Sequence, residues 1–222
     1  MINKTDQWNT KQPDAYIGIL VIKNVLNLPN HPDLDAARRS LEIELRERYG
    51  SLDRKTLREL PVYKAYDAFY RPFKKTYHVQ LQLESILLKS KSIFSPSTLV
   101  ACMFMAELNT GLLTAAHDFN TAEFPLIADI ASGDEVYLRL DNTEQTLKEG
   151  DLYIKDQQGI LSSIIYGPDK RTRIRMDTDQ ALFTTYGIPG ISKEQVYDQL
   201  VILEEYIRTF APQAIQRDLI VI

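Results

Sequence analysis

Two stretches of this 222-residue chain carry side chains whose types and spacing could do chemistry. The first runs from Gly159 to Arg175, G-I-L-S-S-I-I-Y-G-P-D-K-R-T-R-I-R. It sets two adjacent hydroxyls, Ser162 and Ser163, in an apolar β-branched run, then breaks at Tyr166-Gly167-Pro168-Asp169. Four cations follow within six residues: Lys170, Arg171, Arg173 and Arg175. A strand that feeds a polar, basic loop presents groups that a packed core cannot. The three arginines alternate, so on a strand they share one face, and that crowding costs free energy unless an acidic or phosphate partner relieves it. A carboxylate of the protein or an anionic ligand would serve equally. The second stretch, Leu113 to Asp118, leads small residues into the only His-Asp pair, His117-Asp118. A histidine with an ordinary pKa near 6.5 is suited to general-base work at neutral pH. The alternative is a hydrogen-bonded structural histidine, with Asp118 opening a turn. The expectation is that the two stretches meet around one pocket.

Much other chemistry is excluded. There is no P-loop and no G-x-G-x-x-G, and Ser162 lacks the G-x-S-x-G elbow of a serine hydrolase. His117-Asp118 would need further ligands to hold a metal, and His31 and His78 do not stand at convincing spacings, so neither metal nor cofactor is expected. The single cysteine, Cys102, cannot form an intramolecular disulfide. A net charge of −4 argues against non-specific coating of nucleic acid, so any RNA contact must be local. No stretch is long and apolar enough for a membrane span, and residues 1–14 lack the apolar core of a signal peptide; a cytoplasmic location is the expectation.

The elements that must position these residues read as follows. Residues 1–14 are a polar tail, and 15–222 form one domain. Tyr16 to Val25 is a strand buried on both faces. Pro32 opens a helix with the stripe Leu34, Ala37, Leu41 and Leu45, ended by Gly50. Short helices follow Asp53 and cover Val62 to Tyr70. The aromatics Tyr63, Tyr66, Phe69, Tyr70, Phe73 and Tyr77, beside Arg71, Lys74 and Lys75, could stack on bases. Packing inward while the cations reach outward is favoured. His78 to Lys89 is read as a helix with Leu81, Ile86 and Leu88 packed and Gln80, Gln82 and Glu84 outward. Ser95 to Thr98 opens a central helix, apolar nearly all round, that stops at Gly111. Its lone acid, Glu107, is placed at the helix end near solvent or, less often for such a residue, as a buried carboxylate facing a site. Beyond Leu113 come short strands and turns: Leu126 to Ala131, Val136 to Leu140, Leu152 to Asp156, Ile160 to Tyr166 and Ala181 to Ile188. Ser192, with Gln195 three residues on, caps a final helix along Val196, Leu200, Leu203 and Ile207. The fold class is α+β, a helical first half packed on a β-rich, mostly antiparallel second half.

Four motifs then carry a resemblance: L-L-T-A-A-H-D (Leu112–Asp118), G-D-L (Gly150–Leu152), S-S-I-I-Y-G-P-D-K-R-T-R-I (Ser162–Ile174) and A-L-F-T-T-Y (Ala181–Tyr186). Together they resemble the free-standing relatives of the tRNA-binding and editing domain of the bacterial phenylalanyl-tRNA synthetase beta subunit, over nearly the whole chain. In the synthetase that domain hydrolyses mischarged tRNA. The resemblance implies a related α+β fold with a pocket between sheet and helices. It puts Ala115 where the synthetase has a pocket histidine, His117 on an aromatic position, Ser162 and Ser163 beside the amino-acid pocket, and Asp169 near a residue that reads the amino acid. The aminoacylation domain and its ATP-binding motifs are not in the chain, so a complete ligase is not expected.

The function implied is a trans-acting editing factor that hydrolyses a mischarged aminoacyl-tRNA ester. The alternative is a non-catalytic module that binds tRNA or an amino-acid-like ligand. His117 is the expected base. Thr114, Ala115, Asp118, Ser162, Ser163, Tyr166, Asp169 and Glu107 are the expected pocket, and Lys170, Arg171, Arg173 and Arg175 the phosphate contacts. The expected partner is a tRNA 3′ end or an aminoacyl-tRNA, with neither DNA nor membrane. An aminoacyl ester is already activated, so placing a water and polarising the carbonyl suffices without a covalent nucleophile.

Overall fold

The computed structural model describes residues 1–222. In chain order, β1 (Ile2–Lys4) and α1 (Asp6–Lys11) precede β2 (Tyr16–Lys23). The helices α2 (Pro32–Tyr49), α3 (Arg54–Glu59), α4 (Pro61–Tyr70), α5 (His78–Lys89) and α6 (Thr98–Thr110) follow. The strands are β3 (Thr114–Asp118), β4 (Leu126–Ile130), β5 (Val136–Leu138), β6 (Glu144–Thr146), β7 (Leu152–Lys155), β8 (Ile160–Ser163), β9 (Gly167–Pro168) and β10 (Gln180–Gly187). The chain closes with α7 (Lys193–Phe210) and β11 (Ile215–Val221). This is an α+β arrangement, with helices concentrated in the first half and strands in the second.

Two sheets carry the β half. One is a four-stranded antiparallel sheet in the order β11-β2-β10-β3, and the other is a five-stranded sheet in the order β1-β4-β7-β8-β9. β5 and β6 form a separate hairpin. The apolar run of β2 lies between two neighbours, with residues 17–22 all buried, as a strand covered on both faces requires. β10 pairs with β2 on one side and with β3 on the other, setting Leu182 opposite His117 and Thr185 opposite Thr114. α7 lies on this sheet. A Cβ on Gly18 would stand 2.6 Å from Val196 Cγ1, and one on Gly187 would stand 2.5 Å from Val196 Cγ2, so glycine at both positions lets helix and sheet approach. Local signals set the helix ends: Pro32 starts α2, Ser192 and Gln195 form a capping box on α7, and Gly111, with φ of +83°, ends α6 in the left-handed region.

Three expectations need correction. Residues 1–14 are not a loose tail: β1 pairs in parallel with β4, and Trp8 of α1 is buried in the core. The apolar residues Ile2 and Trp8, scattered among polar ones, find their partners more than a hundred residues away in sequence, where a local reading does not look. The face of α5 is also different. It buries Val79, Leu83 and Ile86, a stripe at i, i+4 and i+7, while Leu81 and Leu88 are exposed. Gln80 and Glu84 go inward with partners for the amide nitrogen and the carboxylate, through Gln80 Nε2 to Glu84 Oε1 at 2.8 Å and Arg54 Nε to Glu84 Oε1 at 3.0 Å, while Gln80 Oε1 has none. Finally, β8 stops at Ser163, and the arginine segment is a series of turns with one isolated bridge between His117 and Arg173. The three arginines therefore do not share a strand face.

The aromatic stretch packs inward. Tyr66 and Tyr77 stack at 4.0 Å between ring centroids, and both are buried. Their hydroxyls reach backbone: Tyr66 Oη donates to Tyr186 O at 2.5 Å and accepts from Leu113 N at 3.0 Å, and Tyr77 Oη donates to Gly111 O at 2.8 Å. These bonds tie α4 and the start of α5 to the loop that delivers β3.

Candidate functional site

A cavity of about 500 Å³ opens between α5, α6 and the strands β3, β9 and β10. Its long wall is one face of α6. Val100, Met103, Phe104 and Glu107 follow one another at i, i+3, i+4 and i+7, and all four line the space. Val100, Met103 and Phe104 are half-buried and Glu107 is fully enclosed, so the face descends from a mouth to a floor over roughly 10 Å at 1.5 Å rise per residue. The mouth carries Phe94, Leu140 and Arg173, all exposed. Thr114, Ala115 and Ala116 of β3, with Tyr186 of β10, form the opposite wall. The lining is mostly apolar with a few convergent polar groups, and the volume is that of an ordinary small-molecule site.

Glu107 dominates the floor. Its Oε1 accepts from Thr114 N at 2.8 Å, while its Oε2 has no hydrogen-bond partner. Burial pushes its carboxyl up to about 8, against the lowering effect of the Thr114 N–H. No cation of the protein relieves it. Thr114 is fixed in turn by Thr185 Oγ1 at 2.9 Å and by Gln199 Nε2 of α7 at 2.9 Å. The backbone beside the carboxylate is therefore held from three elements.

The sequence-derived site residues divide into two groups. Glu107, Thr114, Ala115, Ser163 and Arg173 line the cavity together. His117 does not. It is enclosed between the two sheets, with Nδ1 2.8 Å from Thr172 Oγ1 and Nε2 3.2 Å from Ser162 Oγ. Thr172 Oγ1 donates to Asp169, so His117 Nδ1–H donates to Thr172 and Nε2 accepts from Ser162, whose oxygen lies 2.6 Å from Tyr186 Oη. Burial pushes His117 down to about 3 and keeps it neutral. Both nitrogens of His117 are engaged by protein groups, and the ring is set behind the residues that line the cavity. His117 thus stands in a polar chain from Tyr186 to Asp169 and is not among the residues that line the cavity.

Asp118 is likewise engaged by protein donors and lies outside the cavity lining. Its carboxylate accepts from Asn120 N at 3.0 Å, from Thr178 Oγ1 at 2.8 Å and from Arg175 Nη2 at 3.4 Å. Tyr166 is half-buried under Lys75 and lies outside the cavity. Asp169 faces a separate shallow groove and is paired with Arg171 at 3.7 Å; burial raises its carboxyl, opposed by its bonds to Thr172. The four cations also separate. Arg171 is clamped by Asp156 at 2.9 Å and by the Thr121 carbonyl at 2.7 Å. Arg175 pairs with Asp118 and Asp177. Lys170 meets only Asn142, and Arg173 only the Lys170 carbonyl at 2.8 Å, so these two keep their charge available at the cavity mouth and the groove beside it.

Sequence reasoning missed Val100, Met103, Phe104, His78 and Tyr186 as site residues. A signal was present for the first three: the α6 face that ends at the helix's lone acid. His78 stands half-buried at the rim, pushed down to about 4 by burial and therefore neutral at pH 7. No group of three or more His, Cys, Asp or Glu side chains is placed to hold a metal ion. No helix is long and apolar enough to cross a membrane.

No protein-family model matches the chain, and no curated protein does. Among solved structures it is similar to an N-terminal fragment of the phenylalanyl-tRNA synthetase beta subunit from Pyrococcus horikoshii, at 12% identity and a TM-score of 0.49. That likeness covers 98% of this chain and 54% of the other, so the chain spans about half the fragment's length. It is a likeness of chain path, and the assignment of the fold rests on the elements described above.

Proposed function

We propose that the protein binds the aminoacylated 3′ end of a tRNA, seating the aminoacyl group in the cavity along α6 with Glu107 at its floor and Arg173 at its mouth. The observation that carries this reading is the unpartnered Glu107 Oε2 in an otherwise apolar space. A buried carboxyl with an unpartnered oxygen is costly unless a donor meets it, and here the group lines a cavity large enough for a ligand to bring one. The sequence motifs support the tRNA end as the carrier of that ligand. Arg173 and Lys170, the two cations of the loop without a carboxylate partner, supply a local phosphate contact on a chain of net charge −4.

The test is fluorescence anisotropy with a labelled acceptor-stem RNA ending in CCA, either uncharged or carrying an amide-linked amino acid that cannot hydrolyse. The charged RNA binds at least tenfold tighter if the cavity reads the aminoacyl group. Equal affinity for the two would overturn the reading.

Hydrolysis of the ester is the second reading, and one observation favours it. An enclosed carboxyl at the cavity floor, with one oxygen unpartnered and pushed up to about 8, is protonated at neutral pH and becomes a general base as pH rises toward 8. In that reading Glu107 holds the role first given to His117. Incubation with a panel of correctly and incorrectly charged tRNAs decides it: deacylation that Glu107→Gln abolishes and His117→Ala leaves intact supports an editing factor, and ester loss no faster than without protein leaves a binding module.

A further inference from the structure

Glu107 also says which aminoacyl groups the cavity accepts. We infer that the site takes only aminoacyl groups with a free α-amino group and an apolar side chain, the ammonium bonding to Glu107 Oε2 and the side chain lying on Val100, Met103 and Phe104. This rests on the reading above and narrows it.

Three observations lead here. The free oxygen is an acceptor in a space whose other deep groups bring no charge: Thr114 is already bonded to Thr185 and Gln199, and Tyr186 Oη is turned to Ser162. An ammonium beside Oε2 favours loss of the Glu107 proton, since a hydrogen bond between charged partners is stronger than one between neutral groups, and the α-amino group is the one cation that every aminoacyl ester carries. The charges of the cavity are also set at its two ends, an acid at the floor and Arg173 at the mouth, with apolar side chains between. A 3′-aminoacyl nucleotide has the matching polarity, an ammonium at one end and a phosphate at the other. Last, the α6 wall beside the acid, Val100, Met103 and Phe104, is apolar and half-buried, with surface left to cover. An N-acylated group has lost its cation and adds bulk at the floor, where Thr114, Leu113 and Ala115 are already buried. Peptidyl and formylaminoacyl ends are therefore excluded.

The experiment uses 3′-aminoacylamino-3′-deoxyadenosine 5′-monophosphates bearing leucyl, methionyl or phenylalanyl groups, each beside its N-acetyl and its desamino form, titrated calorimetrically into the whole protein. At least one free-amine compound should bind, with its N-acetyl and desamino forms at least tenfold weaker, and Glu107→Gln should bring the three forms within about twofold of one another. The comparison among compounds uses the wild-type protein alone, so it does not depend on how the variant folds. Binding of all three forms with equal affinity would overturn the inference and leave the aminoacyl-binding reading standing. Binding by none of the nine compounds would overturn both.

Discussion

The acid at the cavity floor makes a prediction about stability that needs no ligand. Glu107→Gln keeps a carbonyl that can accept from Thr114 N and replaces the ionisable oxygen with an amide NH2 that does not titrate. In the fold the carboxyl is pushed from an ordinary 4.5 to about 8, whereas the unfolded chain titrates at the ordinary value. The folded state therefore holds the proton more tightly. Its advantage is complete below about pH 4.5 and is lost as pH rises toward 8, at about 1.4 kcal/mol per pH unit in between. Between pH 5.5 and pH 7.5 the wild type should lose about 2–3 kcal/mol relative to Glu107→Gln. Asp151, buried with Oδ2 unpartnered and pushed up to about 7, adds a slope of the same sign, and His117 and His78 add the opposite one. All three are common to both proteins and cancel in the difference. Urea denaturation at the two pH values, with equal slopes against denaturant, gives the comparison directly. A difference between the two proteins that stays constant within about 0.5 kcal/mol would refute the picture of an enclosed, unpaired carboxyl.

Other expectations follow from the same geometry. His117→Ala should cost about 2–3 kcal/mol of stability, because Thr172 and Ser162 lose a buried partner, and should leave ligand affinity unchanged; denaturation and anisotropy check both. His117 is neutral in the fold down to about 3, so its contribution is full above pH 6.5 and is lost as pH falls through that window; His117→Gln should flatten the acid limb of the stability profile. Arg171→Ala should destabilise by about 1.5–3 kcal/mol by removing the charged partner of the buried Asp156, which keeps its bonds from the Glu123, Gln158 and Gly159 N–H groups, and should not alter the salt dependence of RNA binding. Arg173→Ala should leave stability alone and reduce the slope of log affinity against log salt by about 0.7, which binding at several salt concentrations measures. Gly18→Ala should cost about 1–3 kcal/mol through overlap with Val196 and Leu200, and a second change, Val196→Ala, should recover much of it.

What the sequence made legible was local. Pro32, the Ser192–Gln195 pair and Gly111 announce helix ends because caps act over three or four residues, and the run of β2 announces a doubly covered strand because every residue in it is apolar. What it hid was settled at a distance. Ile2 and Trp8 look like chance apolar residues in a polar segment until β4 stands beside them. Gln80 and Glu84 read as solvent-facing until Arg54 supplies their partner. The arginine cluster looks like one basic patch, yet Asp156, Asp118 and Asp177 divide it, and Asp156 lies on a different strand's end. Glu107 was visible as the lone acid of an apolar helix; its depth depends on β3 crossing in front of it. The His117-Asp118 pair is the converse case, a pattern suggestive of catalysis whose polar atoms are all met by protein partners once the strands pack.

The most direct test of the account is where an aminoacyl nucleotide binds. In a methyl-labelled sample, addition of 3′-leucylamino-3′-deoxyadenosine 5′-monophosphate should shift the methyl resonances of Val100, Met103 and Leu113, with Leu200 and Leu203 of the core unmoved. Shifts confined to the outer groove at Val136, Leu138 and Ile160, beside Lys170, with the α6 face silent, would contradict the claim that this cavity is the site.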